Sequence, residues 1–191
     1  KIKKMTINRP ATFGLIKSYF GVLKQSQVDS FNRFFDEWDG VDKRHLAYIL
    51  ATVWHETNKT MLAIEEYGKG KGCAYGKRVW YDGKPYTDIP HIFYGRGHTQ
   101  NTWRDIYEKL TKANAKGWDF VNHPELLLQE EPSIWATFYA MKTGLYTGKK
   151  LSTYFNSEKT DPIKARRIIN GTDKAELICD YYNKFLNSIV C

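Results

Sequence analysis

A mainly helical α+β domain with two lobes is predicted by three observations. Apolar residues recur at helical spacing in successive segments of the chain. One glycine-rich stretch with an Asp-Gly turn interrupts them near a third of its length. Hydrophobic residues fill 42% of the 191 positions, enough for a core without disulfide support, and that length fits a single domain over residues 1–191.

Each element has its own signal. The segment Ile7 to Val22 is interrupted by Arg9, Pro10 and Lys17, so it reads as neither a signal-peptide core nor a membrane span. Ser26 with Asp29 three residues on predicts a capping box, and Val28, Phe31, Phe35 and Trp38 then follow at helical spacing until Asp39-Gly40. Asp42 is placed to cap a second helix, whose apolar stripe runs through Leu46, Ile49, Leu50 and Val53. Gly68, Gly70, Gly72 and Gly76 break the pattern, and Val79-Trp80-Tyr81, Asp82-Gly83 and Lys84-Pro85-Tyr86-Thr87 predict a short hairpin. A helix resumes after Thr99 or Thr102 with Trp103, Ile106, Tyr107 and Leu110 on one face. Pro132 predicts the first turn of another, through Trp135, Phe138 and Tyr139 to Gly144. Asp161-Pro162 opens a further helix that closes at Asn170-Gly171, and Leu177, Ile178, Tyr181, Phe185 and Ile189 mark the last. No internal repeat or low-complexity linker is found.

Charge and cysteines narrow the chemistry. The net charge of +8 favours a polyanionic partner such as nucleic acid, anionic lipid or an acidic cell envelope. The basic residues are scattered, with no run that reads as a nucleic-acid arm, so no nucleic-acid partner and no stable membrane insertion are expected. Cys73, Cys179 and Cys191 form neither a disulfide framework nor a zinc pattern, which points to synthesis in a reducing compartment. The 13 Tyr, 10 Phe and 6 Trp suit either a core or a ligand-facing aromatic platform.

The most informative residue is Glu56. The stripe of Leu46, Ile49 and Val53 continues onto it at steps of three and four, placing a carboxylate toward the core side of a helix. Burial raises a carboxyl pKa because the ionised form loses hydration, and a protonated glutamate is what glycoside hydrolysis needs as its acid. Two plain alternatives stay open: a solvated helix end, or pairing with a buried arginine. A second carboxylate is also required. Glu65 and Glu66 follow, but on an unbroken helix Glu66 would lie roughly 15 Å along the axis, beyond the 6.5–9.5 Å usual for inverting enzymes. The helix must therefore stop near Asn58-Lys59 and the chain turn back.

Other chemistries fit less well. His55-Glu56 lacks the second histidine of a zinc-protease helix, because Lys59 stands there. Gly68 to Gly72 lacks the preceding buried strand of a phosphate loop, and no serine or cysteine nucleophile has a supporting arrangement.

Five segments stand in register: Ala51-Thr52-Val53-Trp54-His55-Glu56-Thr57, Ile64 to Gly72, Phe93-Tyr94-Gly95-Arg96-Gly97-His98-Thr99-Gln100-Asn101-Thr102-Trp103, Arg166-Arg167-Ile168-Ile169-Asn170-Gly171, and the weaker Asn122 to Leu126. Together they resemble glycoside hydrolase family 19, the chitinase-like family, and within it the bacteriophage and bacterial endolysin branch. Coverage is about residues 42–186, leaving 1–41 as an N-terminal helical part. The resemblance implies a lysozyme-like domain with a substrate cleft and muramidase-type cleavage of peptidoglycan with inversion. Chitinase activity, or a non-catalytic glycan-binding module, is the alternative. It implies Glu56 as the acid, Glu66 as the base with Glu65 its close rival, and Thr102 holding the attacking water. His55, Tyr94, Arg96, Gln100, Trp103 and Asn170 would bind or orient the sugar, and Arg96 and Arg167 would pair with the carboxylates or serve the structure. No metal and no cofactor is implied. A monomer made in the host cytoplasm without a signal peptide, acting on the wall after release, is the expected form. Asn58 and Lys59 after His-Glu-Thr, and His98 and Asn101 in the third segment, depart from the family's usual residues.

Overall fold

The computed structural model describes residues 3–191. Its helices are α1 (Arg9–Phe20), α2 (Gln25–Glu37), α3 (Lys43–Glu56), α4 (Arg104–Ala113), α5 (Glu130–Thr143), α6 (Leu151–Tyr154) and α7 (Ala175–Ser188). Two strands, β1 (Ile64–Glu65) and β2 (Arg96–Gly97), pair antiparallel between α3 and α4, with Ile64 opposite Gly97 and Glu65 opposite Arg96. The fold is thus mainly helical with one small β pair, as the periodicities predict. The chain divides into two compact units: one runs to Met61 and resumes from Thr137 to Cys191, the other is Leu62–Ala136.

The first unit is a helical packing problem solved with aromatic side chains. α7 packs against both α1 and α3. Phe20 lies 4.6 Å from Phe185 and 4.9 Å from Trp54, and Phe31 lies 5.8 Å from Phe185. Leu46, Ile49, Leu50 and Val53 are wholly buried, as their spacing on α3 requires. Asp42 accepts the Arg44 N–H at 2.9 Å and caps that helix as predicted.

Two expectations for this unit need correction, at α2 and beyond Asp161. α1 forms within the N-terminal part expected to be helical, with Pro10 in its first turn. Proline in a first turn lacks an N–H that would be unsatisfied anyway, and Asn8 Oδ1 accepts from the Ala11 N–H at 3.2 Å. α2 starts at Gln25 and is closed by Gln27, whose side chain accepts the Lys24 N–H at 2.7 Å; Asp29 instead accepts from Gln25 Nε2. The helix predicted from Asp161-Pro162 to Asn170 shrinks to a single 3-10 stretch, Lys164–Ile168. The Thr147 hydroxyl takes the Arg167 carbonyl at 2.7 Å, an acceptor a longer helix would need for its own ladder.

The second unit is built mostly from turns. The Asp82-Gly83 turn forms, with the Trp80 N–H donating to Lys84 O at 2.8 Å, but strand pairing there is one bridge between Val79 and Pro85. The regular pair lies elsewhere, at β1 and β2, because ladder bonds at Ile64–Glu65 and Arg96–Gly97 bring together residues too far apart in sequence to signal a hairpin. α4 begins at Arg104, directly after Trp103, which holds a left-handed φ of 69°. α5 starts at Glu130, two residues before Pro132, and Gly144 at φ 79° ends it. No helix among the described residues is long and apolar enough to cross a membrane.

Candidate active site

The predicted site residues fall in both units, and each group has its own construction.

In the first unit Glu56 is the last residue of α3, and the helix stops there for definable reasons. The Thr57 hydroxyl donates to Val53 O at 2.7 Å and accepts the Met61 N–H at 2.9 Å, closing the final turn on itself. Asn58 and Lys59 then take left-handed φ values of 49° and 68°, which L residues adopt at a cost of roughly 1–2 kcal/mol each. The helix therefore ends where the two-carboxylate reading requires it.

Glu56 is 17% exposed at its side chain, and its Oε1 accepts from Arg166 Nη1 at 2.7 Å. Arg166 is itself only 5% exposed and donates through Nε to Asp173 O at 2.9 Å. So the buried-arginine alternative is realised, and by Arg166 rather than Arg167. Arg167 is exposed and offers its carbonyl to Thr147. The difference of one position follows from the 3-10 stretch, which turns Arg166 inward and Arg167 outward. His55 is half-buried beside Glu56. Loss of hydration pushes its imidazole pKa below the ordinary value, against the pull of the Glu56 carboxylate. Asn170 is exposed on the turn that follows, its N–H donating to Arg166 O at 3.0 Å.

The second unit gathers Glu65, Glu66, Tyr94, Arg96 and Gln100 around the β1–β2 pair. Glu66 is half-buried and held by two neutral donors: the Tyr75 hydroxyl reaches Oε1 at 3.0 Å and the Gly95 N–H reaches Oε2 at 3.0 Å. Its own N–H donates to Gly95 O at 2.7 Å. Glycine leaves room for this approach. A Cβ on Gly95 would lie 2.9 Å from Gln100 Oε1 and 3.3 Å from both Glu66 Cβ and Oε2. Gln100, at φ 54°, donates through Nε2 to Ile64 O and Gly97 O, both at 3.0 Å, tying the loop to both strands.

Glu65 is more open, with a 38% exposed side chain. The Tyr94 hydroxyl donates to its Oε2 at 3.0 Å and Lys69 Nζ lies 3.3 Å from Oε1; together, hydroxyl first, they hold its carboxyl below the usual range. Arg96 pairs with neither glutamate. It is buried, its guanidinium 3.7 Å over the Tyr94 ring, and it donates to Ile92 O at 3.1 Å and the Tyr107 hydroxyl at 3.2 Å. It fixes Tyr94 and through it Glu65. Thr102 is half-buried, and its hydroxyl takes no partner among the described residues. Trp103 meets Tyr75 edge-on at 5.8 Å.

Several residues had no signal in sequence. Tyr75 sits in a glycine-rich turn with no periodicity to point it at Glu66. The departures at His98 and Asn101 are structural: His98 is buried, its N–H and Nδ1 at 2.9 and 2.7 Å from Ser133 Oγ, and its Nε2 3.3 Å from Glu130 Oε2. Glu130 Oε1 in turn accepts the Ala63 N–H at 3.0 Å, just ahead of β1. Asn101 bridges back to Arg96 by paired backbone bonds. Among the described residues no group of three or more His, Cys, Asp or Glu is placed to hold a metal ion.

No family model and no curated protein matches the sequence. Solved structures match in fold. Chitinase C from Streptomyces griseus HUT6037 aligns with a TM-score of 0.58 at 16% identity, over 95% of this chain and 77% of that one. A bacterial family 19 chitinase aligns at 0.52 and 20% identity, over 92% of each chain. A mutant of chitinase C aligns at 0.50 and 17%, over 92% and 90%. Over more than nine-tenths of its length the chain therefore shares its fold with these chitinases.

Proposed function

We propose that this chain is a glycoside hydrolase acting on β-linked N-acetylhexosamine polymers, with chitin as its leading substrate. The observation that carries the reading is the construction around Glu66, a carboxylate oriented by a hydroxyl and by the backbone N–H of a closely approached glycine. Its occurrence on a fold shared with chitinases favours chitin over the peptidoglycan that the endolysin-like motifs suggest.

Inverting hydrolysis calls for two carboxyl groups acting on opposite sides of the scissile bond. The first unit supplies Glu56 as acid. Arg166 holds Oε1, and in this role Oε2 gives a proton to the leaving glycosidic oxygen as the C1–O bond breaks. The second unit supplies Glu66 as base. It takes one proton from a water whose oxygen bonds to C1, with the Thr102 hydroxyl helping to hold that water. One water is consumed and the new reducing end has inverted configuration.

Peptidoglycan is the second reading, favoured by the +8 charge and by Lys71, Lys77 and Arg78, which are exposed and free of ion pairs among the described residues. Those cations suit an anionic wall. The test is to assay chitin oligomers against purified peptidoglycan with Glu56→Gln, Glu66→Gln and Glu65→Gln proteins, reading the product anomer by NMR. Loss of about 10²–10⁴-fold is expected for the first two, and only a modest loss for the third. Full turnover by folded Glu56→Gln protein refutes the acid assignment; release of fragments from peptidoglycan alone moves the substrate to the wall.

A further inference from the structure

Tyr81 is an exposed aromatic side chain that the fold nevertheless holds still. It is 72% exposed. Tyr67 is also fully exposed, but it makes no ring contact among the described residues. Tyr81 instead meets Trp103 edge-on, with ring centroids 5.1 Å apart and planes at 74°. Its backbone N–H donates to Asp105 Oδ2 at 3.0 Å in the first turn of α4. The preceding residue, Trp80, is clamped by the Arg104 guanidinium 4.3 Å above its ring, and Arg104 is locked by two bonds of 2.6 and 2.7 Å to Asp88. The Asp82-Gly83 turn is thereby fixed on both sides.

Trp103 is also held under strain. Its φ of 69° is unusual for a bulky residue, and such conformations cluster where function demands them. From Trp103 a continuous set of contacts leads to the proposed base: Trp103 edge-on to Tyr75, and the Tyr75 hydroxyl on Glu66 Oε1. Beside the rings, Asp105 Oδ1 takes no partner among the described residues and can accept a hydroxyl.

We propose that Tyr81 and Trp103 form a carbohydrate-stacking subsite on the Glu66 side, binding the apolar face of an N-acetylhexosamine ring away from the bond that is cut. Pyranose rings present a face of C–H groups that packs on aromatic surfaces, while their rim hydroxyls seek acceptors such as Asp105. A rigid aromatic anchor with few rotors loses little entropy on binding, which is why preorganised Tyr and Trp carry binding energy efficiently. The inference rests on the glycan-hydrolase reading and extends it to substrate length: the subsite rewards longer chains.

The experiment compares the unaltered chain with Tyr81→Ala and Tyr81→Trp, measuring turnover and calorimetric binding of N-acetylglucosamine oligomers from dimer to hexamer. Tyr81→Ala should weaken hexamer binding and raise its KM about tenfold, with kcat and the melting temperature unchanged and the shortest cleavable oligomer unaffected. Tyr81→Trp should restore the hexamer. Hexamer binding indifferent to Tyr81→Ala, or an equal loss for every length, overturns the subsite and leaves the hydrolase reading standing. If the unaltered chain neither binds nor cleaves any oligomer, and peptidoglycan likewise, the hydrolase reading fails and the subsite with it.

Discussion

The unit that carries Glu56 holds its carboxylate with a charge on a helical frame, whereas the unit that carries Glu66 holds its own with neutral donors delivered by turns. Glu56 leans on Arg166, a guanidinium buried among packed helices. Glu66 leans on a tyrosine hydroxyl from the glycine-rich turn and on a backbone N–H from the loop that Gln100 and buried Arg96 pin. Arginine stays protonated throughout the accessible range, so Arg166 gives Glu56 a fixed point charge. A hydroxyl and an amide instead orient Glu66 without a full charge beside it.

The sharpest way to break this comparison is to remove the charge. Arg166→Met leaves Glu56 half-buried without its partner, and breaking a buried pair on one side costs about 3 kcal/mol of stability. Arg167→Met, one position along on the exposed side, should stay within about 0.5 kcal/mol of the unaltered chain. Denaturant unfolding of both variants measures the difference. Equal and small losses would mean that the Arg166–Glu56 contact does not hold the end of α3.

On the other side, Gly95→Ala attacks orientation without touching charge. The new Cβ must displace Gln100 Oε1 and press on Glu66. Misplacing a reacting group by about 1 Å lowers kcat/KM by about a hundredfold, while overpacking costs only about 1 kcal/mol of stability. Activity lost in proportion to melting temperature alone would show that Gly95 serves packing rather than the carboxylate.

The same contrast explains what was legible in sequence. α3 could be read residue by residue, because burial on a helix imposes a period, and Asp42, Leu46 and Val53 obey it. Glu56 stood out as the one acidic residue in phase with that stripe. Its partner was misread by one position, since Arg166 and Arg167 differ only in which way a 3-10 stretch turns them. The second unit offered no period. Its contacts join residues far apart in sequence, such as Ile64 with Gly97 and Glu66 with Tyr75 and Gly95, and turns carry no signal for such pairings. There the resemblance of Tyr94 to Trp103 to a known segment marked the region, while Tyr75, Tyr81 and the His98–Glu130 support were invisible.

The stop of α3 gives a smaller test. Lys59 pays for the chain reversal with a left-handed backbone at φ 68°. Glycine adopts that conformation without steric cost, so Lys59→Gly should raise stability by about 0.5 kcal/mol once the greater freedom of its unfolded chain is counted. Thermal melts resolve that shift. A loss of stability would mean that the Lys59 side chain contributes more to the turn than its backbone strain takes away.

The smallest effect concerns His55, and its sign is fixed by burial. Loss of hydration lowers its folded pKa below 6.5, and Arg166 adds to that lowering while Glu56 opposes it. Between the lowered folded value and the unfolded one, the unfolded chain binds more protons, so stability rises with pH across that window. The contribution is fully present above about pH 6.5 and is lost as pH falls from there through the folded value, where burying a charged imidazole becomes unfavourable. His55→Gln carries no titrating group and should lack this portion of the slope. Melting temperatures of both proteins across about pH 5–8 give the difference curve directly. A difference curve that is flat, or that falls with rising pH, would mean that the carboxylate outweighs burial at position 55. The Glu56 charge would then govern the residue that precedes it on α3 as well.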